Sequence, residues 1–191
     1  METYDLDIDQ LGMNVDWPII ARFKDDLFPY HGYDHIRYTA RALIENEEGK
    51  FGFLHLVGED FFGVRDHLET CGGGMEKGED LVDTILREIK EEMGTPVKEC
   101  QLLGSIIDAY NLIYRITFST FFYCKVDTKH LSETTRTEEE KILIKEIVWL
   151  KPDDALRRLR DQTGSNVDRI VQRRDAAAME YYLNKKKGST D

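Results

Sequence analysis

Glu79, Arg87, Glu88, Glu91 and Glu92 follow a run of three glycines, Gly72 to Gly74, within one short stretch of the chain. Glu88, Glu91 and Glu92 are spaced three and four apart, so on a helix their carboxylates project close together. Like charges at that spacing repel, and closer packing would raise their pKa values. A divalent cation removes the conflict, and magnesium or manganese takes the oxygen ligands that clustered carboxylates supply. Arg87 and Glu79 lie eight residues apart, about two helical turns, a spacing at which an ion pair would orient the cluster. The glycines permit backbone angles that other residues resist, and bring N–H groups or a bound ion close to phosphate oxygens. On the glutamates alone, a solvated acidic helix face is the better reading. The fixed offsets of Arg87, Glu79 and the glycines change that balance.

Positioning such a cluster needs a helix on a sheet. Val82, Ile85, Ile89 and Met93 form one apolar stripe of a helix over Leu81–Met93, stopped by Gly94 and Pro96. Alternation predicts a strand from Ile36 to Ile44, with Arg37, Thr39, Arg41 and Leu43 on one face. Asn46-Glu47-Glu48-Gly49 reads as a turn into a second strand, Phe51–Val57. A loop through Gly58–Asp66 and a short strand, His67–Cys71, lead to the glycine turn. Strands follow at Leu102–Ala109, Tyr114–Val126 and Ile142–Leu150, with a polar loop over 127–141. Asp153 resembles an N-cap for a helix over Ala155–Arg160, and a last helix starts near Asn166. The fold class expected is α+β or mixed α/β. The organisation expected is an N-terminal extension over 1–34, a main domain over 35–183 and a disordered tail over 184–191.

With 191 residues and a formal net charge of −11, the chain is long enough to bury a core and too acidic for nucleic acid or anionic membranes as main partners. It has no apolar stretch of membrane-spanning length and no signal-like N-terminus, so a cytoplasmic location is expected. Cys71, Cys100 and Cys124 match neither a zinc site nor a CxxC pair and are expected to be reduced thiols. His31 and His35 lack a nearby third ligand, which argues against a metal role for them.

The segment from Gly73 to Thr95 resembles the Nudix box, Gx5Ex7REUxEExGU, where U is a bulky apolar residue. Gly73, Glu79, Arg87, Glu88, Ile89, Glu91, Glu92 and Gly94 match, and Thr95 stands where an apolar residue is usual. Cys71 stands where proline is frequent before the glycines. The resemblance extends over roughly residues 36–160 and implies an α/β/α sandwich with a mixed β-sheet.

It further implies a hydrolase dependent on Mg2+ or Mn2+ that cleaves a pyrophosphate linkage in a nucleoside diphosphate derivative. A nucleotide sugar or ADP-ribose, a nucleoside triphosphate and a dinucleoside polyphosphate are all open. Carried over by position, Glu88 and Glu92 are the metal ligands, with Glu91 next, and Arg87 and Glu79 orient them. Glu138, Glu139 and Glu140 are candidates for a further ligand or general base, Glu139 being the one chosen. Gly73, Gly74, Arg41 and Arg65 are expected to contact substrate, Arg37 is another candidate phosphate ligand, and Tyr110, Tyr114 and Phe62 could stack on a base. Residues 1–34 could contribute to a homodimer interface. A non-catalytic nucleotide sensor is the alternative, and it is disfavoured because such modules tend to lose the charged positions intact here.

Overall fold

The alternating segment after the N-terminal extension becomes β2 (His35–Glu45), which pairs in parallel along its whole length with β7 (Arg115–Val126). The computed structural model describes residues 2–161 and 165–188. It joins β2 and β7 to β1 (Ile19–Phe23), β3 (Phe51–Asp60), β4 (Gly63–Glu69), β5 (Cys71–Gly74), β6 (Val97–Tyr110) and β8 (Ile144–Leu150). The order along the sheet is β1-β6-β7-β2-β3-β4, with β5 pairing β2 and β8 pairing β3. The β1/β6 and β2/β7 pairs are parallel and the others antiparallel, so the sheet is mixed.

Helices cover both faces. α1 (Leu81–Glu88) begins at a capping box in which the Asp80 carboxylate accepts the N–H groups of Val82 and Asp83 at 2.8 Å. Its apolar stripe, Ile85, Ile89 and Met93, packs on Ala40, Ala42, Cys71 and Phe122. On the other face, α3 (Pro152–Arg160) and α4 (Asn166–Gly188) bring Leu159, Ala178 and Met179 against Leu43, Phe51, Phe53 and Phe121. This is the α/β/α sandwich that the box implies. Each face hides apolar side chains from water, the main favourable contribution to folding.

Several local expectations change. The stretch 58–66 is a hairpin rather than a loop: β3 runs to Asp60, whose carboxylate accepts the Phe62 N–H at 2.7 Å, and β4 starts at Gly63. The glycines form strand β5 rather than a turn. Their missing side chains let this strand lie close to β2 and to α1. Within 127–141, Thr137 and Glu140 make a second capping box that starts α2 (Glu138–Leu143), so β8 begins at Ile144 rather than Ile142. Lys151 takes the cap position of α3, with Pro152 rather than Asp153 opening the helix. Val82, placed on the apolar stripe by spacing, is 44% exposed.

The extension contributes β1 to the sheet, and its Ile8 and Tyr33 pack on Ile107, Ile116 and Phe118. The last helix continues past residue 184 to Gly188. Lys185–Lys187 lie in its final turn, where positive charge meets the negative end of the helix dipole. Residues 189–191 of the expected tail lie outside the described residues. No helix among the described residues is long and apolar enough to cross a membrane.

Candidate active site

The box residues converge where β5 meets α1. α1 passes at Ile89 into a π-helical turn, Ile89–Met93, that ends at Gly94 in the left-handed region (φ 64°). The loop that follows clamps this turn: Arg136 donates to the Glu92 carbonyl at 2.6 and 2.9 Å, and the Thr135 N–H donates to the Glu91 carbonyl at 3.0 Å. Sequence reasoning missed Arg136, whose partner is a backbone atom 44 residues away.

Arg87 is the hub. Its guanidinium donates to Glu79 through Nε at 2.6 Å and Nη2 at 3.0 Å, to Glu88 at 2.8 Å, to Glu91 at 3.1 Å and to the Gly74 carbonyl at 3.1 Å. The ion pair expected from the eight-residue spacing is therefore present, as a two-toothed contact. Glu79 also accepts from the Thr84 hydroxyl and the Glu76 N–H, both at 3.0 Å. The bond from Arg87 holds its carboxyl down at about 2.

Glu88 and Glu92 are the buried members, 7% and 6% exposed. A Cβ on Gly73 would sit 2.2 Å from Glu88 Oε1, so only glycine leaves room for this carboxylate. A Cβ on Gly72 would sit 2.2 Å from the Ala40 carbonyl oxygen, which keeps β5 tight against β2. The Gly72 N–H donates to Glu92 Oε2 at 2.9 Å. Burial pushes the Glu92 carboxyl up to about 8 and raises that of Glu88 as well. The protein thus supplies too little positive charge to offset the burial of these two acids. An all-oxygen, under-neutralised pair fits a hard divalent cation. Among the described residues no three His, Cys, Asp or Glu side chains form a closed metal cage. Magnesium needs none, since it is commonly held by one or two carboxylates, with water and substrate phosphates filling its remaining positions.

Glu139 and Glu140 stand in α2 rather than in a loop. They line a cavity of about 150 Å³ with Glu92, Gly72, Thr70 and Glu69. Cys71 is buried beside Glu92, and burial raises its thiol well above the ordinary range, so it is not an activated nucleophile.

A second cavity, also about 150 Å³, lies under α4. Phe28, Phe62 and Tyr110 line it together with Arg41, Arg65, Arg115 and Arg174. Arg41 is occupied in support of the strand: it pairs with Glu69 at 2.8 Å and donates to the Thr70 carbonyl at 2.8 Å. Arg65 is 5% exposed and pairs with Asp168 at 2.8 Å. Tyr114 does not line this cavity and holds a left-handed turn (φ 54°) at the β6–β7 connection. Of the α4 residues that line it, Val167, Ile170 and Val171 carry the spacing of an apolar helix stripe, whereas Arg174, three residues further along that stripe, gave no signal in the sequence.

The NUDIX domain family matches residues 35–172. A NUDIX hydrolase from Nitrosomonas europaea is similar in structure, with 18% sequence identity, 80% of this chain and 91% of that chain covered, and a TM-score of 0.59. An ADP compounds hydrolase is similar at 16% identity, with 80% and 74% covered and a TM-score of 0.59. A UDP-X diphosphatase is similar at 19% identity, with 81% and 66% covered and a TM-score of 0.53. No curated protein matches the sequence. With the family model matched over most of the chain and the box residues brought together where β5 meets α1, the chain belongs to the Nudix family of hydrolases.

Proposed function

We propose that the protein hydrolyses the pyrophosphate linkage of a nucleoside diphosphate derivative, using Mg2+ or Mn2+ held by Glu88 and Glu92. The single observation that carries this reading is the buried, under-neutralised carboxylate pair, with Arg87 fixed beside it by Glu79. When bound, the cation supplies charge neutralisation at the phosphates and acidifies water. The chain's own residues do the rest. Arg87 holds Glu88 and Glu91 in place and ties α1 to the Gly74 carbonyl. The Gly72 N–H and the Cys71 thiol hold the Glu92 carboxylate in place. Glu139, on the wall shared with Glu92, takes the proton of the attacking water. The water oxygen bonds to one phosphorus as the bridging P–O bond breaks, giving a nucleoside monophosphate and the phosphorylated remainder.

The similar ADP compounds hydrolase and UDP-X diphosphatase support a nucleoside diphosphate joined to a second group, rather than a triphosphate. The aromatic cavity under α4 supports a place for the base. The test is a panel of ADP-ribose, UDP-glucose, ATP and diadenosine polyphosphates with magnesium or manganese, with products identified by mass. Cleavage of the first two to monophosphates, abolished by EDTA, is the expected result. Binding without cleavage of any of them would sink the proposal and leave a nucleotide sensor.

A further inference from the structure

Arg37 and Arg115 are the guanidiniums in this region that have no ion-paired acid among the described residues. Arg41, Arg65 and Arg174, the other arginines of the cavity under α4, are each paired with a carboxylate at 2.7–3.3 Å. Among the described residues Arg115 has no hydrogen-bond or ion-pair partner. Its Nε is buried without an acceptor, and its guanidinium lies over the Tyr110 ring, 5.3 Å from the centroid. Arg37 likewise has none among the described residues, and its guanidinium flanks Gly74 beside the box: a Cβ there would meet Nη2 at 2.9 Å.

The two arginines share a face of the sheet. In the parallel β2/β7 register, Arg115 stands opposite His35 and Arg37 opposite Thr117, so they are two positions apart on adjacent strands. Partial burial and the charge of Arg37 lower the pKa of Arg115, and desolvation and Arg41 lower that of Arg37 against the opposing charge of Glu88. In a chain with 37 acidic and 26 basic residues, a carboxylate to neutralise them would be easy to supply. Arg115, with its Nε buried, is a partly dehydrated cation that costs stability unless an anion is delivered from outside, and the exposed Arg37 adds a second positive charge beside it.

We infer that Arg37 and Arg115 form a subsite for an anionic group of the substrate that lies outside the scissile pyrophosphate, a phosphate monoester or a carboxylate. The inference rests on the hydrolase reading only for where the pyrophosphate sits. Arg37 stands at the box, whereas Arg115 lies further along the sheet, on the wall shared with Phe28, Tyr110 and Leu112. A group that reaches both arginines therefore belongs to the cavity side of the substrate. A planar guanidinium meets a phosphate or carboxylate with two parallel hydrogen bonds. The preferred substrates are then nucleoside diphosphate derivatives bearing an additional negative group, rather than neutral nucleotide sugars.

The test is calorimetric binding in EDTA, which needs neither metal nor turnover. Two matched pairs serve as probes: ADP-ribose against its 2′-phosphate, and UDP-glucose against UDP-glucuronate. In the unaltered protein the charged member of one pair should bind about tenfold tighter or more, as a charge-assisted contact implies. The pair that shows the preference tells phosphate from carboxylate. The preference should fall to within about twofold in Arg115→Met and in Arg37→Gln, and survive in part in Arg115→Lys, which keeps the charge without the fork. Equal affinities within both pairs, no binding of any probe, or a preference that persists in the Arg37→Gln/Arg115→Met double variant would each overturn the subsite. Hydrolysis of the same four probes with magnesium separates the two readings. A charge preference without any cleavage removes the hydrolase and leaves the subsite. Cleavage of the neutral members without a charge preference does the reverse.

Discussion

Two groups of buried acids lie on either side of β5, and the protein treats them in opposite ways. Between β4 and α4, Glu69, Asp168 and Asp175 are matched by cations. Asp168 pairs with Arg65 at 2.8 Å and His67 at 3.1 Å, Glu69 with Arg41 at 2.8 Å and Arg174 at 3.3 Å, and Asp175 with Arg174 at 2.7 Å. Burial pushes Glu69 and Asp168 up, but Arg41, His67, Arg174 and Arg65 outweigh it and hold both below the usual carboxylate range. Between β5 and α1, Glu88 and Glu92 are also buried and are shifted the other way. In the first cluster these three acids are matched by cations, which tie α4 to the sheet. The second is incomplete, which is what a site that receives a cation requires.

The contrast is broken most sharply at Glu92. Glu92→Gln should reduce kcat on the order of a thousandfold or more while leaving the melting temperature unchanged or raised, because a neutral amide removes a burial penalty. Steady-state kinetics and thermal melts on the same preparation check both halves. In the complete cluster the outcome should invert. Asp168→Asn leaves Arg65 and His67 without their partner, and should cost about 3 kcal/mol or more of stability by urea denaturation. Activity of whatever fraction stays folded should be largely kept.

His67 gives the complete cluster a pH signature. Burial lowers its pKa, but bonds to Asp168 and Glu69 outweigh that and set it at about 9, against about 6.5 unfolded. The folded state therefore binds the extra proton. Its contribution is fully present below about pH 6.5 and is lost as pH rises to about 9, by roughly 3 kcal/mol. His67→Gln should flatten that part of the stability profile, and denaturant midpoints across this range would show it.

The smallest effect is expected at Arg87. Arg87→Lys keeps the charge and loses the two-toothed contact with Glu79, so kcat should fall about ten- to a hundredfold with little change in stability. A fall as large as that of Glu92→Gln would mean that Arg87 touches the substrate itself.

The contrast also marks what the sequence could disclose. The box was legible because Glu79, Arg87, Glu88 and Glu92 sit at fixed offsets along the turn before α1, α1 itself and the π-helical turn after it, and local geometry carries those offsets into space. The α/β/α layering was legible through the resemblance to the Nudix box, whereas the apolar stripe of α1 and the alternation of β2 disclosed only that a helix packs on a sheet. The ion cluster around Asp168 was not, because Arg65 and Asp168 meet only after α4 folds back over β4. Gly73 was singled out for a turn, but its role is to admit the Glu88 carboxylate, which no local rule reports. Arg115 gave no signal either: as one charged residue at the start of an apolar strand, it gains meaning only from β2 beside it. The helix at Glu138 was within reach, since Thr137 and Glu140 carry the spacing of a capping box.

The most direct measurement is a calorimetric titration of the protein with Mn2+ at pH 8, repeated on Glu92→Gln and Asp168→Asn. If the incomplete cluster receives the cation, the unaltered protein binds Mn2+ saturably. Affinity then rises with pH up to about 8, the value to which burial pushes Glu92. Glu92→Gln loses that binding, and folded Asp168→Asn retains it. Equal Mn2+ affinity in Glu92→Gln and the unaltered protein is incompatible with a metal site on the box helix.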